Sequence, residues 1–404
     1  MTALLGAESA VARAFRTHFG GLPATFWIVW SGVLVSRMGT MVLPFLALFL
    51  TAKGMSITTA GLVVTVVGAG ATCSQLVGGA LADLWGRRTT FVVGPFAAAG
   101  FLLLLGYVES LPMILLAAFL SGLALQLYQP ASAAVIADVV PPAHRPRAYG
   151  LMYWAVNVGF SVASVLGGLL ARQGFLWLFW VDSLTCLVFG LVIWRLMPRD
   201  TTPPAPSAGS YREVLRDGVM VAYVLLLLLH ASVQFQMSST LPLAMGLSGL
   251  SPTDFGLAIA VNGVLVVIVQ PLLVNRLSRY DRSKVLSVGI LLMGTGFGAT
   301  VLASTLLSYA LTVVVWTAGE IVIAAVVQTI VADLAPAHLR GRYNGLFGAA
   351  YALAAVVAPG AGTLLLAHAG ARVLWTTCFV VCLAVAVGQW VLGPSIRRRQ
   401  AAEE

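Results

Sequence analysis

Twelve apolar runs, each about long enough to cross a bilayer as a helix, dominate this sequence and leave it few folds to choose from. They cover approximately 24–50, 58–81, 89–108, 112–138, 148–171, 174–197, 217–246, 254–275, 285–304, 308–334, 345–368 and 373–393, separated by charge, Pro and Gly. Roughly 20 apolar residues in a helix span the hydrocarbon core, and a lone segment in hydrocarbon can pair all its own N–H and C=O groups only as a helix. The spacer at Ser304–Ser308 is the thinnest, so a count of eleven stays open. Composition agrees, with 59% of residues hydrophobic and 9% charged, against about a quarter charged in a soluble domain. That excludes a soluble enzyme, a disordered chain and a coiled coil. The expected fold class is an all-α integral membrane protein with 12 transmembrane helices. Cys73, Cys186, Cys378 and Cys382 all lie within apolar runs and read as packing residues, so no metal and no cofactor is expected.

The net charge of +9 is explained by topology. Basic residues gather in the short loops that stay cytoplasmic. With the N-terminus inside, every Lys and Arg except Arg37, Lys53, Arg172 and Arg372 falls on that side. The charge therefore sets orientation, and no nucleic-acid partner is expected. The longest loop, about Pro198 to Leu215, contains Pro203-Pro204-Ala205-Pro206 and reads as a linker. It divides the chain into 1–197, a cytoplasmic linker 198–216, and 217–404. The halves repeat. Ala137-Asp138 precedes Pro142-Ala143-His144, Arg147 and Gly150; about 195 residues on, Ala332-Asp333 precedes Pro336-Ala337-His338, Arg342 and Gly345. Duplication of a six-helix unit predicts two pseudo-symmetric bundles with a cavity between them.

Between the second and third runs stands Gly78-Gly79-Ala80-Leu81-Ala82-Asp83-Leu84-Trp85-Gly86-Arg87-Arg88. Gly79 permits close helix approach, Gly86 a tight turn, Asp83 accepts hydrogen bonds, and Arg87 and Arg88 suit an anionic leaflet. The segment resembles the signature loop of the major facilitator superfamily, with Leu84 where that family usually has a basic residue. In the fifth run, Gly159, Gly167 and Gly168, with Gly150, resemble the family's antiporter glycine pattern, but Ala163-Ser164 replaces its central Gly-Pro. Helix packing alone explains such glycines equally well. The resemblance implies the family's fold, alternating access and a gate at the cytoplasmic helix ends. Asp138 near Arg147, and Asp333 near Arg342, read as ion pairs of that gate.

An ionisable side chain deep in a span costs at least about 2.5–3.5 kcal/mol, so each is a functional candidate. Glu320, mid-way along the tenth run, is the first, as the expected proton-coupling residue; Gly-Glu there is similar to proton-coupled members of the family. His230, in the seventh run, is the second. Arg37, in a helix that lines the cavity in proteins of this fold, reads as a ligand for an anionic group or the counter-ion of a carboxylate. Asp182 reads as structural. Gln126, Gln129, Tyr153, Trp154, Asn157, Gln234 and Trp316 are the expected cavity residues.

The resemblance implies a monomeric secondary transporter of a bacterial inner membrane, both termini cytoplasmic, with a small molecule, protons and the lipid bilayer as partners. Proton-driven export of lipophilic compounds is the first expectation. Proton-coupled import of peptides, sugars or organic anions is the alternative. A non-transporting receptor or membrane enzyme is the alternative of another class.

Overall fold

A computed structural model of the chain describes residues 22–127, 136, 139–141, 144–197, 211–277, 280–336 and 339–403. Nearly all of these are helical. The first half comprises α1 (Ala24–Gly39), α2 (Val42–Ala52), α3 (Ile57–Trp85), α4 (Arg87–Tyr107), α5 (Leu111–Gln126), α6 (Arg145–Gln173) and α7 (Leu176–Leu196). After a short α8 (Tyr211–Arg216), inside the stretch read as linker, come α9 (Gly218–Gln234), α10 (Gln236–Ser239) and α11 (Leu241–Leu247). Then follow α12 (Pro252–Leu277), α13 (Arg282–Ala299), α14 (Leu306–Ala324), α15 (Val327–Leu334) and α16 (Arg340–Glu403).

The boundaries have local causes. Gly86, at φ 85°, ends α3 and starts α4, a conformation glycine adopts without a Cβ penalty. The thin spacer near Ser304 is a real break: a 3₁₀ turn, Thr300–Leu302, precedes a reciprocal cap between Thr305 and Ser308 that opens α14. Gly370, at φ 82°, divides α16 into two arms. Among the described residues ten segments are long and apolar enough to cross a membrane, and Leu111–Gln126 is apolar but shorter. The tenth, Gly341–Arg399, covers 59 residues and contains the Gly370 break. Length and apolarity therefore support a multi-pass helical bundle without deciding on twelve.

Several runs expected as single helices are interrupted. The first breaks at Thr40–Met41, the seventh at Phe235 and Thr240, and the tenth at Ala325–Val326. The corresponding first and seventh runs of the two halves thus share a mid-span interruption. Such breaks survive in hydrocarbon only where protein satisfies the freed backbone groups.

Within each half the helices pack tightly: α1 against α6 and α7, α3 against α5, and α13 against α14 and the distal arm of α16. Two seams join the halves, α6 with α12 and α3 with the proximal arm of α16. Both depend on glycine. A Cβ on Gly256 would stand 2.3 Å from the Ser164 carbonyl oxygen, and one on Gly68 would stand 2.3 Å from that of Ala355. Thr253 donates to the Gly168 carbonyl at 2.8 Å, and Thr72 to that of Ala352 at 3.1 Å. The α6–α12 contacts lie toward the helix ends away from the C-terminus, and the α3–α16 contacts lie near mid-helix.

Candidate functional site

Glu320 sits near the C-terminal end of α14, just before the Ala325–Val326 break, and is half-buried. Its two carboxylate oxygens are held by neutral amides from two other helices. Gln234 Nε2 donates to Oε1 at 3.2 Å, and Asn262 Nδ2 donates to Oε2 at 2.7 Å. Asn262 also reaches Thr317 Oγ1 at 3.1 Å. Gln234 is the last residue of α9, placed by the break that follows it. Asn262 lies in α12, one residue before Gly263, where the α6–α12 seam is closest. No Lys, Arg or His forms an ion pair with Glu320 among the described residues.

The other half contributes Tyr153 and Asn157 of α6. The Tyr153 hydroxyl lies beside the Asn157 and Gln270 amides, within electrostatic reach of Glu320. Tyr351, on the proximal arm of α16, senses both Glu320 and Tyr153. The result is a carboxylate ringed by amides and phenols drawn from both halves. Such a ring can carry a proton or bind a cation, while the phenol faces accept an apolar or cationic body. Asn262, Gln270 and Tyr351 were missed from sequence, although a lone amide in a long apolar run is itself a signal.

The remaining expected residues divide. Trp154 is partly exposed on α6 and stacks on Trp30 at 6.2 Å. Trp316 does not line the cavity: it is 1% exposed, stacked on Phe297 and pressed against Gly296 in the α13–α14 seam. It stands one turn before Glu320 on α14, about 40° round the helix, yet its indole packs into the α13 seam instead of beside the carboxylate. His230 is fully buried, and among the described residues no hydrogen bond reaches its Nδ1 or joins it to Glu320. Gln126 ends α5 with its Oε1 buried. Gln129 and Asp138 lie outside the described residues, as do the surroundings of Gly79 and the side chains of Asp83 and Arg87.

Arg37 and Asp182 explain one another. Asp182 is completely buried on α7, yet its Oδ2 accepts the Val42 N–H at 3.2 Å, the first free donor of α2. A carboxylate from another helix thus caps the broken first span. Arg37, three residues before the break, is the cation that faces this carboxylate. Gly159 of α6 makes room for it, as a Cβ there would lie 2.4 Å from Arg37 Cβ. Gly167 likewise accommodates Phe45, and Gly168 packs on Thr253 and Gly256. Three glycines of the fifth run are therefore contact points, two toward the first span and one across the seam, while a Cβ on Gly150 would meet nothing within 4 Å.

The end of the bundle nearer the C-terminus carries several ion pairs. Asp333 pairs with Arg282 of α13, a partner beyond its own loop. Asp217 caps α9 through the Val219 and Met220 N–H groups and is also gripped by Arg399 and by the Tyr343 hydroxyl at 2.7 Å. Burial alone would push the Asp217 carboxyl up, but these partners together hold it below the usual carboxylate range. Asp281 pairs with Arg397 at 2.6 Å. Arg88 donates to the Trp194 carbonyl at the end of α7. Arg147 and Arg342 are half-buried near the starts of α6 and α16. Among the described residues no three His, Cys, Asp or Glu gather as a metal site.

A family model described as Major Facilitator Superfamily matches residues 29–251 and 240–403. The uncharacterized MFS-type transporter YqjV of Bacillus subtilis (strain 168) is 27% identical over 339 residues, spanning 80% of this chain and 82% of that protein. The Na(+), Li(+), K(+)/H(+) antiporter of Planococcus maritimus is 23% identical, over 79% and 84% of the two chains. Multidrug resistance protein MdtH of Yersinia enterocolitica is 26% identical, over 67% and 68%. Among solved structures, a peptide transporter POT in complex with sulfate superposes with a TM-score of 0.80 at 15% identity, over 94% and 96%. A D-xylose-proton symporter superposes at 0.74 with 16% identity, over 90% and 96%. At such identity these two likenesses speak to fold alone.

Proposed function

This chain belongs to the major facilitator superfamily and is a multi-pass membrane transporter, and we propose that it is a proton-coupled antiporter that exports lipophilic cations. The observation that carries this reading is the uncompensated Glu320 carboxylate, held by Gln234 and Asn262 with no cationic partner among the described residues. Two neutral donors soften the cost of a buried negative charge without cancelling it. Such a site takes a proton or a cationic substrate, and each displaces the other. Exchange follows if either form favours a different opening of the two halves. The names of the two antiport and resistance relatives support this direction. Arg37, the residue that suited an organic anion, lies within electrostatic reach of Asp182.

The rest of the reading follows the family. Halves 1–197 and 217–404 form two six-helix bundles joined by the 198–216 linker, twelve helices in all, both termini cytoplasmic, in a bacterial inner membrane. The chain acts as a monomer. The α6–α12 contacts lie toward the outer ends of their helices, which supports an arrangement open to the cytoplasm. Glu320→Gln in proteoliposomes, with tetraphenylphosphonium as probe, tests the proposal. Gradient-driven transport is expected to fall at least about tenfold, the loss of one strong site interaction; unchanged transport would remove Glu320 from the coupling step.

A further inference from the structure

A cleft of about 360 Å³ opens between the start of α13 and the last turns of the distal arm of α16, lined by Ser283, Lys284, Trp390, Val391, Pro394 and Arg397. None of Glu320, Gln234 and Asn262 lines it. Its floor exists because residue 393 is glycine: a Cβ there would stand 3.1 Å from Ser283 Cβ and 3.3 Å from Arg397 Nη1. On one side the cleft continues a stripe of exposed apolar side chains on α16, Val380, Leu383, Val387 and Val391, at helical spacing. On the other side stand three cations. Arg397 shares Asp281, Arg398 is exposed, and Lys284 lies 5.6 Å over the Trp390 ring with no carboxylate partner among the described residues. The N–H groups of Ser283 and Lys284 are already capped by Asp281, so the attraction rests on side chains.

We propose that this cleft binds an anionic phospholipid, the phosphate at Lys284 and Arg397 and an acyl chain along Val391 and Val387. This rests on the membrane topology proposed above, which places the cleft at the cytoplasmic leaflet, where anionic headgroups attract basic side chains. An interfacial Trp beside a snorkelling Lys is the side-chain pairing such a depth favours. The apolar stripe selects a lipid over free phosphate, because phosphate alone leaves Val387, Trp390 and Val391 without a partner.

The test uses the purified full chain in detergent. Phosphatidylglycerol, phosphatidylcholine and inorganic phosphate are titrated separately, and binding is counted by native mass spectrometry. The wild type is expected to retain phosphatidylglycerol over phosphatidylcholine. Lys284→Gln weakens it about fivefold, the factor one cation near an anionic leaflet contributes. Gly393→Val, which fills the floor, abolishes it, and Arg372→Gln at the opposite end leaves it unchanged. Equal binding by all four proteins, no preference between the two lipids, or displacement of the lipid by inorganic phosphate overturns the proposal. Tetraphenylphosphonium binding by the Lys284→Gln protein is measured in parallel. It reports on the Glu320 site, so failure of one reading is distinguishable from failure of the other.

Discussion

The α6–α12 seam is the place where one methyl group should change which way the transporter faces. In Gly256→Ala the new Cβ would lie 2.3 Å from the Ser164 carbonyl oxygen and 3.2 Å from Gly168 Cα. Real Cβ contacts below 3.0 Å essentially do not occur, and both obstacles are backbone, which cannot swing aside. The helices must separate by something on the order of 1 Å, at an overpacking cost of about 1–3 kcal/mol. Separation also stretches the 2.8 Å bond from Thr253 to Gly168, worth about 0.5–1.5 kcal/mol. A combined penalty of about 2–4 kcal/mol on the arrangement with this seam closed shifts its equilibrium with one in which the seam is open by about 30- to 1000-fold. Spin labels at Gly174 and Ser251, on the two sides of the outer end of this seam, read the distance between the halves. The expected result is a longer distance with a modest change in melting temperature. Gly348→Ala is the control, since nothing lies within 4 Å of a Cβ there. An unchanged distance distribution together with a lowered melting temperature would refute the reasoning, because the seam would then be fixed packing and not a moving contact.

Two further outcomes follow from the charges. Asp217 is held below its usual range by Arg399 and Tyr343 against the opposing effect of burial, so its stabilisation is full above the unfolded value of about 3.9 and fades as pH falls through the folded one. Asp217→Asn should cost about 1–2 kcal/mol at pH 7, from the lost cap and charge pairing, and melting curves of the two proteins should converge only below about pH 4. Asp182→Ala should cost about 0.5–2 kcal/mol, because it strips the Val42 N–H of its acceptor at the start of α2. Asp182→Asn, which keeps an oxygen for the Val42 N–H, should cost less; equal melting temperatures for the two variants would contradict the capping role.

Much of this protein was written along the chain. Runs of some 20 apolar residues can do little but cross hydrocarbon as helices, so the all-helical membrane class and the positions of most helices were legible. The Gly86 turn, the break near Ser304 and a carboxyl, Glu320, inside an apolar run were legible too, because each is a local signal. Tertiary structure decided what those groups face. Arg37 answers Asp182, 145 positions apart in sequence, because the first span breaks beside α7 and its free N–H needs an acceptor. Trp316 and Glu320 share one helix, yet the first turns into the α13 seam and the second meets Gln234 and Asn262. Asp333 finds Arg282 across a helix pair. Sequence periodicity states which residues share a face; which neighbour that face meets is set by how the many nearly equivalent apolar cylinders choose partners. In hydrocarbon that choice rests on shape, on where glycine lets two backbones close, and on which buried polar groups find one another, none of which is a property of any single run.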